Sequence, residues 1–259
     1  MGRKVIDRTG EERLNKFGSK MVISRYRNNL DIDVYFPEYN WTFEHAQYQS
    51  FKNGNIRCPY ELRIYGVGYI GEGKYKMLEN GKQKKEFRVW YDMLKRCYDP
   101  KYQKERPTYK GCKAENDWLN FQNMAEWLEE NYYEVPGEVM CLDKDILCKG
   151  NKIYSRETCI FVPERINLLF VKHDNARGKD PIGVTPNPSG NYQARCKNGY
   201  GKQIPLGTYF TKEEAFRVYK ENKEKVIKET IDSYEGKIPE PFYSRLKEAM
   251  YNYEVEIDD

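Results

Sequence analysis

Residues 139–170 constrain this chain more than any other stretch. They open Val-Met-Cys-Leu-Asp-Lys-Asp-Ile-Leu and close Ile-Phe-Val-Pro-Glu-Arg-Ile-Asn-Leu-Leu-Phe. Two short apolar runs, Val139–Leu142 and Thr158–Val162, flank a loop rich in Lys, Gly, Asn and Ser. A short helix is expected from Pro163, because a proline at the first helical position lacks only an N–H that would be unpaired there anyway. Strand, loop, strand and helix make a ββα unit too small to enclose a core, so the flanking segments must cover it.

Those segments carry the apolar material. Trp90, Met93, Leu94 and Cys97 fall at helical spacing within residues 87–98, and Trp118, Phe121, Ala125 and Leu128 repeat the pattern within 117–131. Both stripes read as core that braces the ββα unit. Charged residues make up 32% of the chain, but 15% is aromatic, which supplies enough packing surface to exclude global disorder.

Residues 1–62 read as a β-rich module. Met21–Arg27 and Asp31–Phe36 are strands separated by Asn28-Asn29, where asparagine tolerates positive φ. Ile32, Val34 and Phe36 alternate with Asp31, Asp33 and Tyr35, giving one buried and one wet face. Tyr48, Phe51 and Gly54 form a helical turn ending at glycine, with a short strand expected after it. Lys20, Arg25, Arg27, Lys52 and Arg57 scatter basic charge that suits either a phosphate-contacting face or a solvated surface. The Gly/Tyr-rich stretch over 63–85 lacks a Gly-Lys-Ser/Thr ending, so it reads as a turn-rich linker or hairpin and not as a nucleotide cradle.

The seven cysteines (58, 97, 112, 141, 148, 159 and 196) form no C-x-x-C pair, which excludes a zinc ribbon and leaves reduced thiols as the expectation. No apolar run is long enough to span a bilayer, and no signal peptide is evident. The expectation is a cytoplasmic protein of a bacterial host cell, with no membrane partner. A formal charge of +4 permits a nucleic-acid partner without demanding one.

The run from Trp90-x-x-Met and Trp118-x-x-Phe through Leu142-Asp-Lys-Asp, Tyr154-Ser-x-Glu-Thr-Cys159 and Val162-Pro-x-x-Ile-Asn167 resembles the ββα-metal (His-Me finger, HNH) core of phage-encoded homing-type endonucleases. The resemblance covers roughly residues 87–170 and implies an α+β fold. It also implies a catalytic set of Asp143, Lys144, Asp145 and Asn167, with Asp143 and Asn167 holding Mg²⁺ or Mn²⁺. In the family an Asp-His pair follows the first strand. Here the pair is Asp143-Lys144, so the usual general-base histidine has no counterpart. Of the two histidines, His45 reads as structural, whereas His173 lies six residues past Asn167, within reach of folding back. Lys144, between two acidic residues, suits a phosphate oxygen better than it suits proton abstraction, and Asp145 remains a ligand or weak base.

Residues 171–180 read as a basic linker. Beyond them, Gly183-Val, Gly190-x-Tyr-x-Ala, Leu206-Gly-x-Tyr-Phe-Thr and Glu214-Ala resemble the AP2-type DNA-binding domain, three strands against one helix. Strand alternation turns Tyr192, Ala194 and Cys196 toward the helix and Gln193, Arg195 and Lys197 away from it. The helix opens on a Thr211-x-x-Glu214 capping box, with Ala215, Val218, Tyr219, Asn222 and Val226 as its inner face. The resemblance implies contacts to double-stranded DNA from Thr185, Asn187, Arg195, Lys197 and Gln203. Residues 233–259 read as a tail with a helix over Phe242–Tyr253, after the breaks at Pro239 and Pro241.

The expected order is therefore a β-rich module (1–62), an HNH-like ββα domain (63–172), an AP2-like domain (181–232) and a tail (233–259). Three functions stay open. One is a metal-dependent DNA endonuclease with a substituted base, and another is a DNA-binding regulator on the same scaffold. The third is a protein-binding inhibitor of a host factor.

Overall fold

The computed structural model describes residues 6–171 and 180–257. Among them the fold is mixed α+β, with several small sheets and seven helices. The expected linker over 171–180, His173 included, lies largely outside the described residues. The chain divides into two compact units. One joins the described residues up to Thr108 with Asn116–Glu126, and the other joins Tyr109–Glu115 with the described residues from Trp127 onward. The 63–172 segment thus contributes to both.

In the first unit, β1 (Glu12–Leu14), β2 (Lys20–Asn28), β3 (Asp31–Phe36) and β4 (Trp41–Ala46) form an antiparallel sheet in chain order. Ile32, Val34 and Phe36 are buried and pack with Met21, Ile23 and Phe51, but Asp33, expected on the wet face, is buried too, where Arg27 pairs with it. The β2–β3 turn differs from expectation, since neither Asn28 nor Asn29 takes a positive φ. Asn28 Oδ1 instead accepts the Leu30 N–H at 2.8 Å, closing the turn through a side chain. Helix α1 (Tyr48–Lys52) stops before Gly54, but the strand expected after it does not form.

Residues 63–77 wind over α2 (Lys85–Tyr98), which buries Phe87, Trp90, Met93, Leu94 and Cys97 on the expected stripe. Loop polar groups find partners in one side chain: Gln122 Nε2 donates to the Ile70 and Tyr75 carbonyls at 3.3 and 3.1 Å, and its Oε1 accepts the Tyr75 N–H at 3.0 Å. The glycine-rich stretch is thereby occupied by the protein's own amides. A hairpin follows, β5 (Leu78–Glu79) and β6 (Lys82–Gln83). Asp99 then caps α3 (Pro100–Glu105) by accepting the Lys101 N–H at 2.9 Å. The helix expected from 117 starts later, as α4 (Phe121–Asn131), because Asn116–Leu119 is a 3-10 turn. That turn places the buried Trp118 so that its carbonyl accepts the Trp90 indole N–H at 2.8 Å.

The second unit contains the strand–loop–strand–helix succession. β8 (Met140–Asp143) pairs antiparallel with β10 (Ile160–Pro163), and α5 (Glu164–Asn167) follows without a break. Between them β9 (Ile153–Tyr154) runs parallel to β7 (Lys113–Ala114). β10 is buried throughout, with Phe161 stacked on Trp127.

A three-stranded antiparallel sheet, β11 (Val184–Pro186), β12 (Tyr192–Lys197) and β13 (Gln203–Tyr209), lies against α6 (Lys212–Asp232). Val184, Ala194 and Ala215 form its core with Leu206 and Phe216 at the margin. Only half of the expected capping box forms. The Glu214 N–H donates to Thr211 Oγ1 at 3.2 Å, while the Glu214 side chain stays exposed. The inner face also differs. Ala215 and Tyr219 are buried, but Val218, Asn222 and Val226 are half-buried, and the stripe continues through Ile227, Thr230 and Ile231. α6 also packs against α7 (Phe242–Tyr251), which buries Leu246 and Met250, and Thr230 lies beside Gly199 in the β12–β13 turn. The C-terminal segment is therefore core, not a loose tail.

Gly183 fixes how closely β11 approaches α6. It sits at φ +75, and a Cβ there would run into the Tyr219 ring. Gly190 has φ +83 with open space around it. Gly183→Ala is expected to destabilise the unit by roughly 2–4 kcal/mol, the sum of a positive-φ cost and overpacking. Gly190→Ala should cost only about 1 kcal/mol. Urea melts of the two variants should separate these contributions, and equal losses would contradict the close-approach reading.

Candidate metal centre and nucleic-acid interface

β8 delivers Asp143 to its C-terminal end, opposite Ile160. The residue is only 8% exposed. Its Oδ1 accepts the Asp145 and Ile146 N–H groups at 2.9 and 2.7 Å, so the carboxylate folds the following turn around itself. Oδ2 accepts no hydrogen bond among the described residues. Burial, reinforced by the Asp145 charge, pushes the Asp143 carboxyl up to about 6, against the lowering effect of the two N–H bonds.

Lys144 turns inward. Its side chain is 7% exposed, and its ammonium donates to the Asn151 carbonyl at 3.0 Å and pairs with Asp145 at 3.2 Å. The Tyr154 ring lies 5.9 Å away. Asn151 answers by donating to the Lys144 and Ile153 carbonyls, each at 2.7 Å. Lys144 is a brace across the loop, not an arm reaching toward phosphate. Asp145 remains about half exposed and carries the outward-facing carboxylate of the loop.

Asn167 ends α5 and is half-buried, on a helix that packs against both β8 and β10 through the fully buried Ile166. Asp143 and Asn167 supply hard oxygens of the kind Mg²⁺ or Mn²⁺ takes, with the remaining positions left to water and phosphate. No histidine lies among the described residues of this ββα unit, and His173 lies outside them.

Arg165, which local sequence gave no reason to single out, links α5 to the sheet. Its Nε donates to the Gly199 carbonyl at 2.6 Å, and its guanidinium stacks 3.9 Å from the Tyr200 ring centroid and 5.5 Å from that of Tyr234. Gly199 and Tyr200 belong to the β12–β13 turn, so the helix bearing Asn167 is fastened to that hairpin.

On the sheet, Ala194 and Cys196 are buried toward α6, whereas Arg195 and Lys197 are exposed. Register carries the exposed face across all three strands. Thr185 sits beside Gln193 and Gln193 beside Thr208, while Lys197 pairs with Gln203 and Arg195 with Pro205. Four of the five residues expected to contact DNA, namely Thr185, Arg195, Lys197 and Gln203, therefore share one face. Arg195 is held in orientation by Gln193 Oε1 at 2.8 Å. Asn187 departs from expectation. Its Oδ1 accepts the Ser189 and Asn191 N–H groups, both at 3.1 Å, and the Ser189 hydroxyl at 2.6 Å, so it builds the β11–β12 turn.

A second oxygen-rich cluster lies in the first unit, where Asp31, Asp33 and His45 bring ligand atoms within 4.8 Å of one another. Arg27 already occupies it, reaching Asp31 at 2.9 Å and both Asp33 oxygens at 2.8 Å. Arg27 is thus removed from the basic residues free to meet phosphate, and Lys20 is paired with Glu12 at 2.9 Å.

Comparison of the chain with family models, with curated proteins and with solved structures returned no match.

The Asp143 carboxyl holds its proton to higher pH when folded than when unfolded, so the folded state binds more protons between about pH 4 and about pH 6. Stability therefore falls as pH rises through that window. Asp143→Asn keeps the turn acceptor and removes the charge. It is expected to stabilise the unit at pH 7 by on the order of 2 kcal/mol, with the gain vanishing near pH 4. Denaturant melts at the two pH values test this, and a variant less stable than the parent at pH 7 would contradict it.

Proposed function

We propose that this chain is a double-stranded-DNA-binding protein on an HNH-like scaffold, with its C-terminal sheet as the gripping surface. The observation that carries the reading is the shared outward face of Thr185, Arg195, Lys197 and Gln203. Lysine and arginine on such a face neutralise phosphates, arginine pairs with two acceptors of guanine, and glutamine pairs with adenine. Gly183, Gly190, Tyr192, Leu206 and Tyr209, which carry the resemblance to the AP2-type pattern, favour this reading.

The resemblance of the ββα unit to HNH cores favours a divalent cation held by Asp143 and Asn167. When bound, Mg²⁺ or Mn²⁺ neutralises charge on a scissile phosphate and its leaving oxygen. The protein's own part is to hold the two oxygen donors on a strand end and a helix end that pack together. Hydrolysis also requires a base to take a proton from water. Asp145, the exposed carboxylate beside Asp143, is the residue available for it. The inward commitment of Lys144 and the lack of a histidine favour a second reading, a DNA-binding regulator that keeps the scaffold without cutting.

The two readings divide on one assay. Plasmid DNA is incubated with the protein in Mg²⁺ or Mn²⁺, beside Asp143→Ala. Metal-dependent nicking that the variant loses identifies an endonuclease, and retention without nicking identifies the regulator. Replacing Arg195 and Lys197 together by alanine is expected to weaken duplex binding at least tenfold and to reduce the slope of log affinity against log salt by about 2. Unchanged binding and slope would remove the sheet from the interface.

A further inference from the structure

The tip of the β5–β6 hairpin is an Asn-Gly pair. In this dipeptide the asparagine side chain is most open to attack by the next backbone nitrogen, because glycine brings no Cβ to shield that nitrogen. The sequence holds three such pairs, Asn53-Gly54, Asn80-Gly81 and Asn198-Gly199, and the fold restrains them unequally.

Asn53 follows α1. Its Oδ1 accepts the Gln49 Nε2–H at 2.9 Å, and the Gly54 N–H donates to the Phe51 carbonyl at 3.0 Å. Gly54 itself is buried against the backbone of Asn15 and Lys16. Asn198 Oδ1 accepts the Tyr200 and Lys202 N–H groups at 3.0 and 2.9 Å. Gly199 beside it is half-buried against Thr230, and its carbonyl takes the Arg165 Nε–H. In both pairs, swinging the carboxamide onto the backbone nitrogen would break bonds that shape the local chain.

Asn80 and Gly81 are both exposed, and the space where a Gly81 side chain would sit is open. Their φ values of 50 and 76, between the paired Glu79 and Lys82, give a two-residue loop of the type I′ pattern. The Asn80 carboxamide makes no hydrogen bond among the described residues. Each strand of the hairpin is two residues long and exposed, and neither pairs with another strand. So small a ribbon has little to hold it shut, and it opens at low free-energy cost.

From this geometry we infer that Asn80 is a site of spontaneous deamidation, and the one of the three pairs that the fold leaves open to it. The Gly81 backbone nitrogen gives its proton to solvent base and attacks Asn80 Cγ. The N–Cγ bond forms, the Cγ–Nδ2 bond breaks, and ammonia leaves with a proton taken from water, closing a five-membered succinimide. Water then opens the ring at either carbonyl, giving aspartate or isoaspartate at position 80. Either product puts a carboxylate on a hairpin that also carries Lys82, next to Lys84 and Lys85. Isoaspartate also adds a methylene to the main chain, which a two-residue loop does not accommodate. The inference stands apart from the DNA-binding reading.

The test incubates the full chain at mildly alkaline pH and follows its proteolytic peptides by mass spectrometry, with the Asn53 and Asn198 peptides as internal references. Isoaspartate is scored by its methylation with an isoaspartyl methyltransferase. Asn80 is expected to convert roughly tenfold faster than either reference, because its surroundings open more cheaply. In urea strong enough to unfold the chain, the three rates should converge, since all three share the same dipeptide. Asn80→Gln should remove the methylation signal of the folded chain. Equal rates at the three sites in the folded chain, or faster conversion at Asn53 or Asn198, overturn the inference. A preference for Asn80 that persists undiminished in urea also overturns it, because the fold would then not be its cause.

Discussion

The antiparallel ladder between β8 and β10 is the constraint on which the second unit depends. It sets Asp143 opposite Ile160 and Met140 opposite Pro163, and the Glu164 N–H continues it to the Val139 carbonyl at 2.7 Å. Because strand side chains alternate between faces, a slip of one residue would turn Asp143 out of its turn and bring Leu142 into its place. With the register fixed, the carboxylate is buried, answered by two backbone N–H groups and the nearby Lys144 charge. The polarity of the whole site follows from that one placement. Lys144 is drawn inward to the loop carbonyls, Asp145 is left outside, and α5 starts immediately after the strand so that Asn167 stays close to the ladder.

The C-terminal sheet solves a different problem with the same alternation. One side of β12 must pack against α6 at short range, which requires Ala194 on the strand, Ala215 on the helix and a glycine at 183 under the Tyr219 ring. Small residues on the inner side let the sheet lie flat on the helix. The outer side is free to carry long polar and charged residues. Arg165 fastens that sheet to the ββα unit by hydrogen bonding and by stacking on Tyr200. Cation–π contacts of this kind contribute about 1 kcal/mol or more when partly desolvated. The surface proposed to meet DNA and the helix bearing Asn167 therefore belong to one connected scaffold.

Much of this was legible in the chain. The ββα succession, the stripe on α2, the division of faces on β12 and the start of α6 at Thr211 follow from local periodicity and capping chemistry. What was not legible depends on partners far away in sequence. Nothing near Lys144 says that Asn151 will take its ammonium, and nothing near residues 70–75 says that Gln122 will satisfy them. The resemblance implies a DNA contact at Asn187, and only the geometry of the β11–β12 turn assigns its oxygen to Ser189 and Asn191. The buried stripe on α6 continues past Tyr219 because α7 packs against it, a contact no local pattern encodes.

We propose that a buried carboxylate at the end of β8 and an amide oxygen at the end of α5 share a hard cation. Mn²⁺ is paramagnetic and broadens the NMR signals of nuclei near it, so titrating it into isotopically labelled protein tests the claim directly. The account predicts saturable loss of the Asn167 side-chain amide signal together with the backbone signals around Asp143, at one ion per chain and reversed by excess Mg²⁺. Broadening centred on the exposed acidic residues elsewhere, with Asn167 and Asp143 untouched, would contradict it.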